Sequence, residues 1–294
     1  ARGAGVELGE HPIDRIASAG TVVVSPGIRT DAPVLKELSD RGVRWISEPE
    51  FAFRFFDGPL IAVTGTNGKT TTAALVAHLL EEDGLDVALG GNIGAAFGPP
   101  ASELALREPS PAWYVVEMSS FQLGAIDRFK PDIGVMTNLA LDHLDWYPSV
   151  ESYYADKANL FRNAADDSRW VLNGDDSAVA DLAEGVPGRR FFFSRTSGGR
   201  PGAYLDADML TLDVSGEAET LGHVEDIALL GAHNVENALA AAVTARLAGA
   251  STESVRRGLA TAVSLPHRTE KVAEAKGVRW VNDSKATNVA AARS

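Results

Sequence analysis

The fold of this chain is decided by the stretch Ile61-Ala62-Val63-Thr64-Gly65-Thr66-Asn67-Gly68-Lys69-Thr70-Thr71-Thr72. An apolar strand runs into a turn with two glycines, and Lys-Thr-Thr then begins a helix. This order predicts a phosphate-binding loop, because the turn N–H groups and the helix N-terminus can face an anion. We expect the turn and the first helical residues to bind a nucleotide through Gly65, Thr66, Asn67, Gly68, Lys69, Thr70 and Thr71.

Two residues of this loop have distinct predicted roles. Lys69 would add positive charge at the phosphates, and Thr70 would offer its hydroxyl to Mg²⁺. The loop departs from the general pattern G-x-x-x-x-G-K-[ST] at Val63, which stands where that pattern has its first glycine. A connection with no binding role could use one glycine, but Gly-x-x-Gly-Lys-Thr after a buried strand rarely has only a structural role. The loop therefore indicates phosphate binding.

The composition is typical of a globular protein and narrows the function classes. The 294 residues carry 23% charged and 45% hydrophobic side chains, and the formal net charge is −13. This charge argues against a general nucleic-acid surface, and the absence of cysteine excludes disulfides and thiolate metal sites. Neither a secretory signal nor an apolar run of about 18 residues is visible. We expect a cytoplasmic, monomeric enzyme without a membrane span. The missing initiator Met and the abrupt end predict part of a longer protein.

The alternation of apolar strands and helices predicts an α/β fold with three parts. Residues 1–57 contain a β-α-β unit of the nucleotide-binding type. Residues 58–264 would form a central P-loop domain, in which near-continuous apolar strands indicate a mostly parallel sheet with helices on both faces. Strands expected at 191–193, 203–205 and 226–229 add a small antiparallel sheet. Residues 265–294 would begin a third domain.

One acid and one histidine lie at or after the ends of predicted strands of the central domain. Glu117 ends a buried strand, where a carboxylate can hold a phosphate-bound Mg²⁺, or can simply face water. The following Ser119-Ser120-Phe121-Gln122 and the phosphate loop favour the metal interpretation. His143, in Asp142-His143-Leu144-Asp145, remains open between a metal ligand, a base and a hydrogen-bonded loop residue.

Lys157 lies on the apolar face of a predicted helix at 150–164. It is three or four residues from the members of the apolar stripe, which are Tyr153, Tyr154, Leu160 and Phe161. A lysine that points inward must reach solvent with its tip, pair with an acid, lose its proton or be modified. From the residues alone, reaching solvent is the default prediction.

Three further polar segments carry weaker signals. In His233-Asn234-Val235-Glu236-Asn237, Asn234 is a candidate helix N-cap and Asn237 could read an adenine edge. Arg268 follows Leu265-Pro266-His267 and could reach a polyphosphate. A predicted strand runs into a polar turn at 280–288, but an ordinary solvated loop would have a similar sequence.

Taken together, these segments resemble the Mur ligases of peptidoglycan synthesis over nearly the whole chain. The motifs shared with the wider family are Thr64-Gly65-Thr66-Asn67-Gly68-Lys69-Thr70, Glu117-Met118-Ser119-Ser120, residues 138–143 and His233-Asn234-x-x-Asn237. One branch of the family joins D-glutamate to UDP-N-acetylmuramoyl-L-alanine. Features that resemble this branch are Ser119-Ser120-Phe121-Gln122-Leu123, Leu265-Pro266-His267-Arg268 and Asn282-Asp283-Ser284-Lys285-Ala286-Thr287-Asn288.

The resemblance implies a domain assignment for the three parts. Residues 1–57 would be a partial UDP-sugar-binding domain, and residues 58–264 the ATP-binding domain. Residues 265–294 would be the start of a Rossmann-like domain that binds the amino acid. The central P-loop domain would thus be flanked by partial Rossmann-like domains.

The resemblance also implies roles for single residues around ATP and two Mg²⁺ ions. Thr70 and Glu117 would hold one Mg²⁺ and His143 the second, and Lys157 would be carbamylated, which overturns the solvent-reaching default. ATP would contact Asn237, Arg268 and Asp283, with Lys285 near the reacting phosphate. The muramoyl substrate would face Asn92, Ser119, Asn138 and Thr287.

The implied chemistry is a ligation through an acyl phosphate, with ATP, UDP-N-acetylmuramoyl-L-alanine and D-glutamate as substrates. The catalytic set would be Lys69, Glu117, His143, Lys157 and Lys285. Three alternatives stay open: a sister ligase that adds another amino acid, a P-loop nucleotide hydrolase that does not ligate, and a fragment that is inactive by itself. We expect this chain alone not to ligate at a normal rate.

Overall fold

The computed structural model of the chain describes residues 3–25, 27–28, 31–141, 146–196 and 198–286. Its first part contains helix α1 (Ile13–Ala17), strand β1 (Val22–Val24), helix α2 (Pro33–Asp40) and strand β2 (Trp45–Ser47). Strands β1 and β2 pair in parallel. Leu35 and Leu38 of α2 pack against Val24, so the predicted β-α-β unit has its own small core.

Helix α3 (Glu48–Phe53) ties this first part to the rest of the chain. The Glu50 side chain is fully buried. Its Oε2 atom accepts hydrogen bonds from the three consecutive N–H groups of residues 127–129, at 2.8 to 3.0 Å. Its Oε1 atom accepts from Arg54, whose guanidinium balances the buried charge. Glu50 is therefore an ionic anchor between the two parts.

The strands of the centre, in chain order, are β3 (Leu60–Thr64), β4 (Val87–Gly91), β5 (Trp113–Glu117), β6 (Ile133–Met136), β7 (Arg169–Asn173), β8 (Arg189–Ser194), β9 (Gly202–Asp206), β10 (Met209–Asp213) and β11 (Glu219–His223). In the described part of the chain they form one nine-stranded sheet, in the order β11-β10-β9-β8-β7-β6-β3-β5-β4. All neighbours from β4 to β9 pair in parallel. The α/β class with a mostly parallel sheet is confirmed.

The helices around this sheet are α4 (Lys69–Glu82), α5 (Ala101–Leu104), α6 (Ser120–Leu123), α7 (Val150–Ala158), α8 (Ser177–Leu182), α9 (Ala232–Leu247) and α10 (Thr252–Thr261). Successive side chains of a strand point to opposite faces. Ile61 and Val63 therefore join the core under α4, α9 and α10. Leu60 and Ala62 join the core of the other face, with residues from α5, α6 and α8.

The edge of the sheet differs from the sequence prediction. Strand β8 pairs in parallel with β9, and only β9, β10 and β11 pair antiparallel, as an extension of the same sheet. The prediction of a strand at 226–229 is wrong. A 3₁₀ turn (Val224–Asp226) ends there, and the chain continues as a loop. The close return of β9 onto β8 depends on Gly202, which has a φ of 146°. A Cβ atom there would lie 1.7 Å from the Phe192 carbonyl oxygen.

A hairpin of strands β12 (Glu270–Ala275) and β13 (Val278–Asn282) follows α10 and pairs antiparallel. In the described ranges, no helix combines the length and the apolar character needed to cross a membrane. The boundaries near residues 57 and 264 remain predictions.

Candidate active site

A cleft of about 700 Å³ lies at the carboxyl ends of the parallel strands, a size that suits a nucleotide. Its walls come from the start of α4, the residues after β4, β5 and β6, the start of α9 and the segment 264–286. This edge of a parallel sheet is where ligands usually bind in open α/β folds. The predicted phosphate loop forms the floor of the cleft.

Both glycines of the phosphate loop are required by close packing beneath it. Gly65 has a φ of 144° and Gly68 a φ of 81°, which side-chain-bearing residues rarely adopt. A Cβ atom on Gly65 would lie 1.9 Å from Thr137 Oγ1, and one on Gly68 would lie 2.3 Å from Asn237 Oδ1. Helix α4 begins directly after Gly68, so its first N–H groups have no carbonyl partner within the helix. A helix N-terminus of this kind favours an anion in the cleft.

The segment after β6 braces the loop from the side. Asn138 Oδ1 accepts from the Asn67 N–H at 2.8 Å, and Asn138 Nδ2 donates to the Asn67 carbonyl at 3.1 Å. Thr137 Oγ1 donates to the same carbonyl at 2.6 Å. Asn138, which we expected at the muramoyl substrate, lines the cleft but uses its amide to hold the loop. Its substrate contact stays a prediction.

Lys157 of α7 lies under the first half of the loop and is 1% exposed. Its Nζ atom donates to the Gly65 carbonyl at 2.7 Å and lies 4.7 Å from the centre of the Tyr153 ring. The Tyr153 hydroxyl is 3.1 Å from Thr66 Oγ1. The default prediction that the lysine reaches solvent is wrong, because the loop carbonyl and the ring satisfy the amine inside the protein.

The inner face of α7 lies in the protein interior, where Tyr153 and Lys157 are buried. Burial raises the pKa of Asp156, although the Tyr147 hydroxyl and the Lys157 charge act in the opposite direction. Burial also raises the pKa of Tyr147, whose hydroxyl donates to Asp156 Oδ2 at 2.8 Å. In such an environment, polar contacts of Lys157 act over a low local dielectric and are stronger than they would be in water.

Glu117, Thr70 and Arg268 form a connected chain in the cleft. Thr70 Oγ1 donates to Glu117 Oε2 at 2.7 Å and accepts from Arg268 Nη2 at 2.9 Å. Asn92 Nδ2 donates to Glu117 Oε1 at 3.3 Å. Glu117 is 2% exposed, so the alternative of an acid facing water is wrong.

The donor set of this chain suits Mg²⁺. A hydroxyl and a carboxylate oxygen point at each other, and magnesium prefers oxygen ligands supplemented by phosphate and water. Among the described residues, no group of three His, Cys, Asp or Glu side chains gathers to bind a metal. Mg²⁺ held by Thr70 and Glu117 would take its remaining ligands from phosphate oxygens or water.

The start of α9 supports the loop from below. Asn237 Oδ1 accepts from Thr72 Oγ1 at 3.1 Å, and its Nδ2 donates to Asn234 Oδ1 at 2.9 Å. The prediction that Asn234 caps this helix is wrong. Gly231 holds the N-cap position, and Asn234 Nδ2 donates back to the Leu230 carbonyl at 2.7 Å. The adenine contact of Asn237 stays a prediction.

The remaining predicted site residues have mixed placements. Lys69, Thr71, Asn92, Asp283 and Lys285 line the cleft. The Lys69 ammonium donates to the Thr66 carbonyl at 2.8 Å. Ser119 is not among the cleft residues, because its hydroxyl caps α6 by accepting from the Gln122 N–H. His143 and Thr287 lie outside the described residues.

Sequence reasoning missed three residues that contribute to the site. The sequence indicates Tyr153 only as a core residue and indicates no role for His233 or Thr269. His233 Nε2 is 3.3 Å from Thr269 Oγ1, and both residues line the cleft. His233 Nδ1 and Arg268 Nε are buried without a hydrogen-bond partner among the described residues. His233 opens the motif His233-Asn234-x-x-Asn237, and this position is the sequence signal that points to it.

Comparison with known proteins gives three concordant findings. The family model described as Mur ligase middle domain matches residues 63–245. A protein of Geobacillus kaustophilus named UDP-N-acetylmuramoylalanine--D-glutamate ligase is 41% identical over 288 residues, which are 97% of this chain and 62% of that protein. A protein of the same name from Acidobacterium capsulatum is 41% identical over 294 residues, or 99% of this chain and 63% of that protein. The chain thus spans a little over three fifths of these relatives.

Solved structures agree on the fold. MurF from Acinetobacter baumannii has a TM-score of 0.67 at 19% identity, covering 84% of this chain and 55% of that chain. A UDP-N-acetylmuramoyl-L-alanyl-D-glutamate--2,6-diaminopimelate ligase has a TM-score of 0.63 at 21% identity, covering 88% and 64% respectively.

Proposed function

The chain belongs to the Mur ligase family, and from that premise we propose that it serves in the ATP-dependent joining of D-glutamate to UDP-N-acetylmuramoyl-L-alanine. The observation that carries the proposal is the Thr70 hydroxyl held between Glu117 and Arg268 at the phosphate loop. The choice of D-glutamate rests on relatives at 36–41% identity that bear this name.

The cleft suits ATP on grounds independent of these names. The N-terminus of α4 faces the cleft with the positive end of its helix dipole, and Lys69 and Arg268 supply two positive charges beside it. Arg268 Nε and His233 Nδ1 are buried without a partner among the described residues. Buried polar groups are normally paired, so a polar ligand in the cleft would complete Arg268 Nε.

Thr70 and Glu117 would hold one Mg²⁺, which would neutralise phosphate charge during transfer. For a second Mg²⁺ we propose His143 together with a carbamate on Lys157. The buried position of Lys157 supports the modification, because a carbamate keeps one N–H for the Gly65 carbonyl. A carbamate would also replace a buried positive charge by a negative one that can face metal ions.

The proposed reaction has two steps. The alanyl carboxylate of the UDP-sugar attacks the γ-phosphorus of ATP, which yields an acyl phosphate and ADP. The amine of D-glutamate then attacks the acyl carbon, and phosphate leaves as the amide bond forms. The first step brings two anions together, so the chain's contribution is positive charge and alignment. Lys69, Arg268 and the N-terminus of α4 would lower the repulsion, and the braced loop would fix the phosphates.

The other assigned residues complete the proposal. Asn237 and Asp283 would contact ATP, Lys285 would lie near the transferred phosphate, and the muramoyl substrate would face Asn92, Ser119, Asn138 and Thr287. We also propose a cytoplasmic location, where ATP is available, and a monomer, which sedimentation can check.

The test is phosphate release with ATP and Mg²⁺, measured with UDP-N-acetylmuramoyl-L-alanine and D-glutamate each present or omitted. It should be run on this chain and on a chimera that adds the unmatched parts of the Geobacillus kaustophilus relative. Release in the chimera that requires D-glutamate, and is absent with L-glutamate or diaminopimelate, is the expected result. Phosphate release that depends neither on UDP-N-acetylmuramoyl-L-alanine nor on D-glutamate would indicate a nucleotide hydrolase instead.

A further inference from the structure

The segment that carries Arg268 has an unusual backbone. Leu265, Pro266, His267 and Arg268 form a β-turn, closed by the Arg268 N–H donating to the Leu265 carbonyl at 3.1 Å. His267 has a φ of 67° and Thr269 a φ of 46°, so left-handed residues stand on both sides of Arg268. This region is rare for residues with a side chain, and a β-branched threonine is among its least favourable occupants. Neighbouring contacts must therefore hold this conformation.

Several of these contacts come from the hairpin and from the residues directly after it. Asp283 Oδ1 accepts from the Thr269 N–H at 3.0 Å, and Glu270 Oε2 accepts from the His267 N–H at 2.8 Å. The Lys285 N–H donates to the His267 carbonyl at 3.1 Å. These bonds fix the turn relative to the hairpin, but they do not fix it relative to the phosphate loop.

Two hydrogen bonds reach across from this segment to the central domain in the described structure. One joins Arg268 Nη2 to Thr70 Oγ1 at 2.9 Å. The other joins Thr269 Oγ1 to His233 Nε2 at 3.3 Å, and His233 belongs to the first turn of α9. The adjacent residues Arg268 and Thr269 are therefore attached to two different helices, α4 and α9.

We propose that His233 is a positioning residue for Arg268. Through the Thr269 hydroxyl it holds the left-handed backbone that directs the Arg268 guanidinium to Thr70, where the nucleotide phosphates would bind. The inference rests on the proposed ATP-binding function and adds a residue to it. A competing explanation is that His233 contacts the nucleotide directly, since its buried Nδ1 has no partner among the described residues.

A double-mutant cycle separates the two explanations. The affinity for Mg²⁺ with a non-hydrolysable ATP analogue is measured by calorimetry for the native chain, His233→Ala, Arg268→Ala and the double variant. Arg268→Ala should weaken binding by about tenfold or more, because it removes a charged hydrogen-bond donor. His233→Ala should weaken it by about three- to tenfold, and the double variant should match Arg268→Ala within about twofold. If the loss of affinity in the double variant equals the product of the losses in the two single variants, the proposal is overturned in favour of a direct or purely structural role of His233.

Variants of Thr269 test the backbone part of the proposal. Thr269→Val keeps the branched side chain but removes the hydroxyl, so it should weaken binding as His233→Ala does. Thr269→Gly adopts the left-handed conformation without support. In that background, His233→Ala should change the affinity by less than about twofold. His233→Gln, whose amide can reach the threonine hydroxyl, should restore part of the affinity lost in His233→Ala.

The outcomes also distinguish this inference from the proposed function. A native chain that does not bind the analogue at all would remove the ATP-binding assignment. A native chain that binds, together with an unchanged His233→Ala variant of equal melting temperature, would overturn only the role of His233.

Discussion

Lys157 Nζ donates a hydrogen bond of 2.7 Å to the Gly65 carbonyl oxygen, across 92 residues of sequence. One turn earlier on α7, the Tyr153 hydroxyl contacts Thr66 Oγ1. Two consecutive residues of the phosphate loop are thus attached to the same face of one helix. Anything that changes the charge or position of Lys157 therefore acts directly on the loop that would hold ATP.

Replacing Lys157 tests whether this contact is more than packing. Lys157→Ala should lose most of the ligase activity of the full-length chimera, because both the loop support and the proposed carbamate disappear. Added acetate or formate should restore part of the activity by placing a carboxylate in the vacated space. Phosphate release is the measurement, and a ¹³C NMR signal after incubation with ¹³C-bicarbonate would report the carbamate in the native protein.

The matched control for this prediction is Lys157→Met, which keeps the apolar stem and removes the amine. It should be as inactive as Lys157→Ala, but more stable, because the buried volume is filled. Normal turnover in either variant would show that the lysine only fills space.

Lys69 should be indispensable for phosphoryl transfer. Lys69→Ala removes a positive charge from the cleft and should reduce turnover by about 10²–10³-fold, the usual cost of losing one charge-stabilising donor. The melting temperature should stay nearly unchanged, because Lys69 is only partly buried where its ammonium donates to the Thr66 carbonyl. Lys271→Ala, on the exposed hairpin, removes the same charge away from the cleft and should keep normal turnover. Equal losses in both variants would point to net charge rather than to the loop.

Much of this site could be predicted from sequence because its signals are local. The glycines, Lys69 and Thr70 lie within six residues, and the inward face of Lys157 follows from helical spacing. The errors concern partners from distant parts of the chain. Nothing near Lys157 in sequence indicates that the Gly65 carbonyl would satisfy its amine, and Asn234 resembles a cap until Gly231 is seen to hold that position. The pairing of β9 with β8 likewise depends on how closely Gly202 lets the two strands approach.

Glu117→Gln should separate metal binding from structural support. The amide oxygen can still accept from the Thr70 hydroxyl, while the buried negative charge is lost. We expect the melting temperature without ligands to change little, because the relief of a buried carboxylate is offset by an amide NH2 group that faces the donor Asn92 Nδ2. The Mg²⁺ concentration that half-saturates nucleotide binding should rise by about tenfold, since a charged ligand of the metal is removed. Glu103→Gln, an exposed acid on α5, is the control and should alter neither quantity. Unchanged Mg²⁺ dependence in Glu117→Gln would withdraw the metal assignment.

Asp175 lies at the edge of the cleft, and its carboxyl group should make the stability of the chain depend on pH. Its carboxylate accepts hydrogen bonds from Ser194 Oγ and Thr196 Oγ1 at 2.6 and 2.7 Å, and from the Arg195 N–H at 2.6 Å. Burial raises the pKa of Asp175, but these bonds outweigh burial and lower it below its ordinary value. Because the folded state favours the ionised form, the contribution is complete above the unfolded pKa and is lost as pH falls through the folded pKa.

Asp175→Asn should therefore lower the free energy of unfolding at pH 7 by about 1 kcal/mol, a modest value because the side chain is partly exposed. The difference from the native chain should shrink as pH falls below about 4, where the native carboxyl also becomes neutral. Urea unfolding at pH 7, 5 and 3.5 measures this. Asp181→Asn, an exposed acid of α8, should change the stability by less than about 0.5 kcal/mol at each pH. An equal loss for Asp175→Asn at all three pH values would mean that the shape of the side chain, and not its charge, holds the loop that presents Arg195 to the cleft.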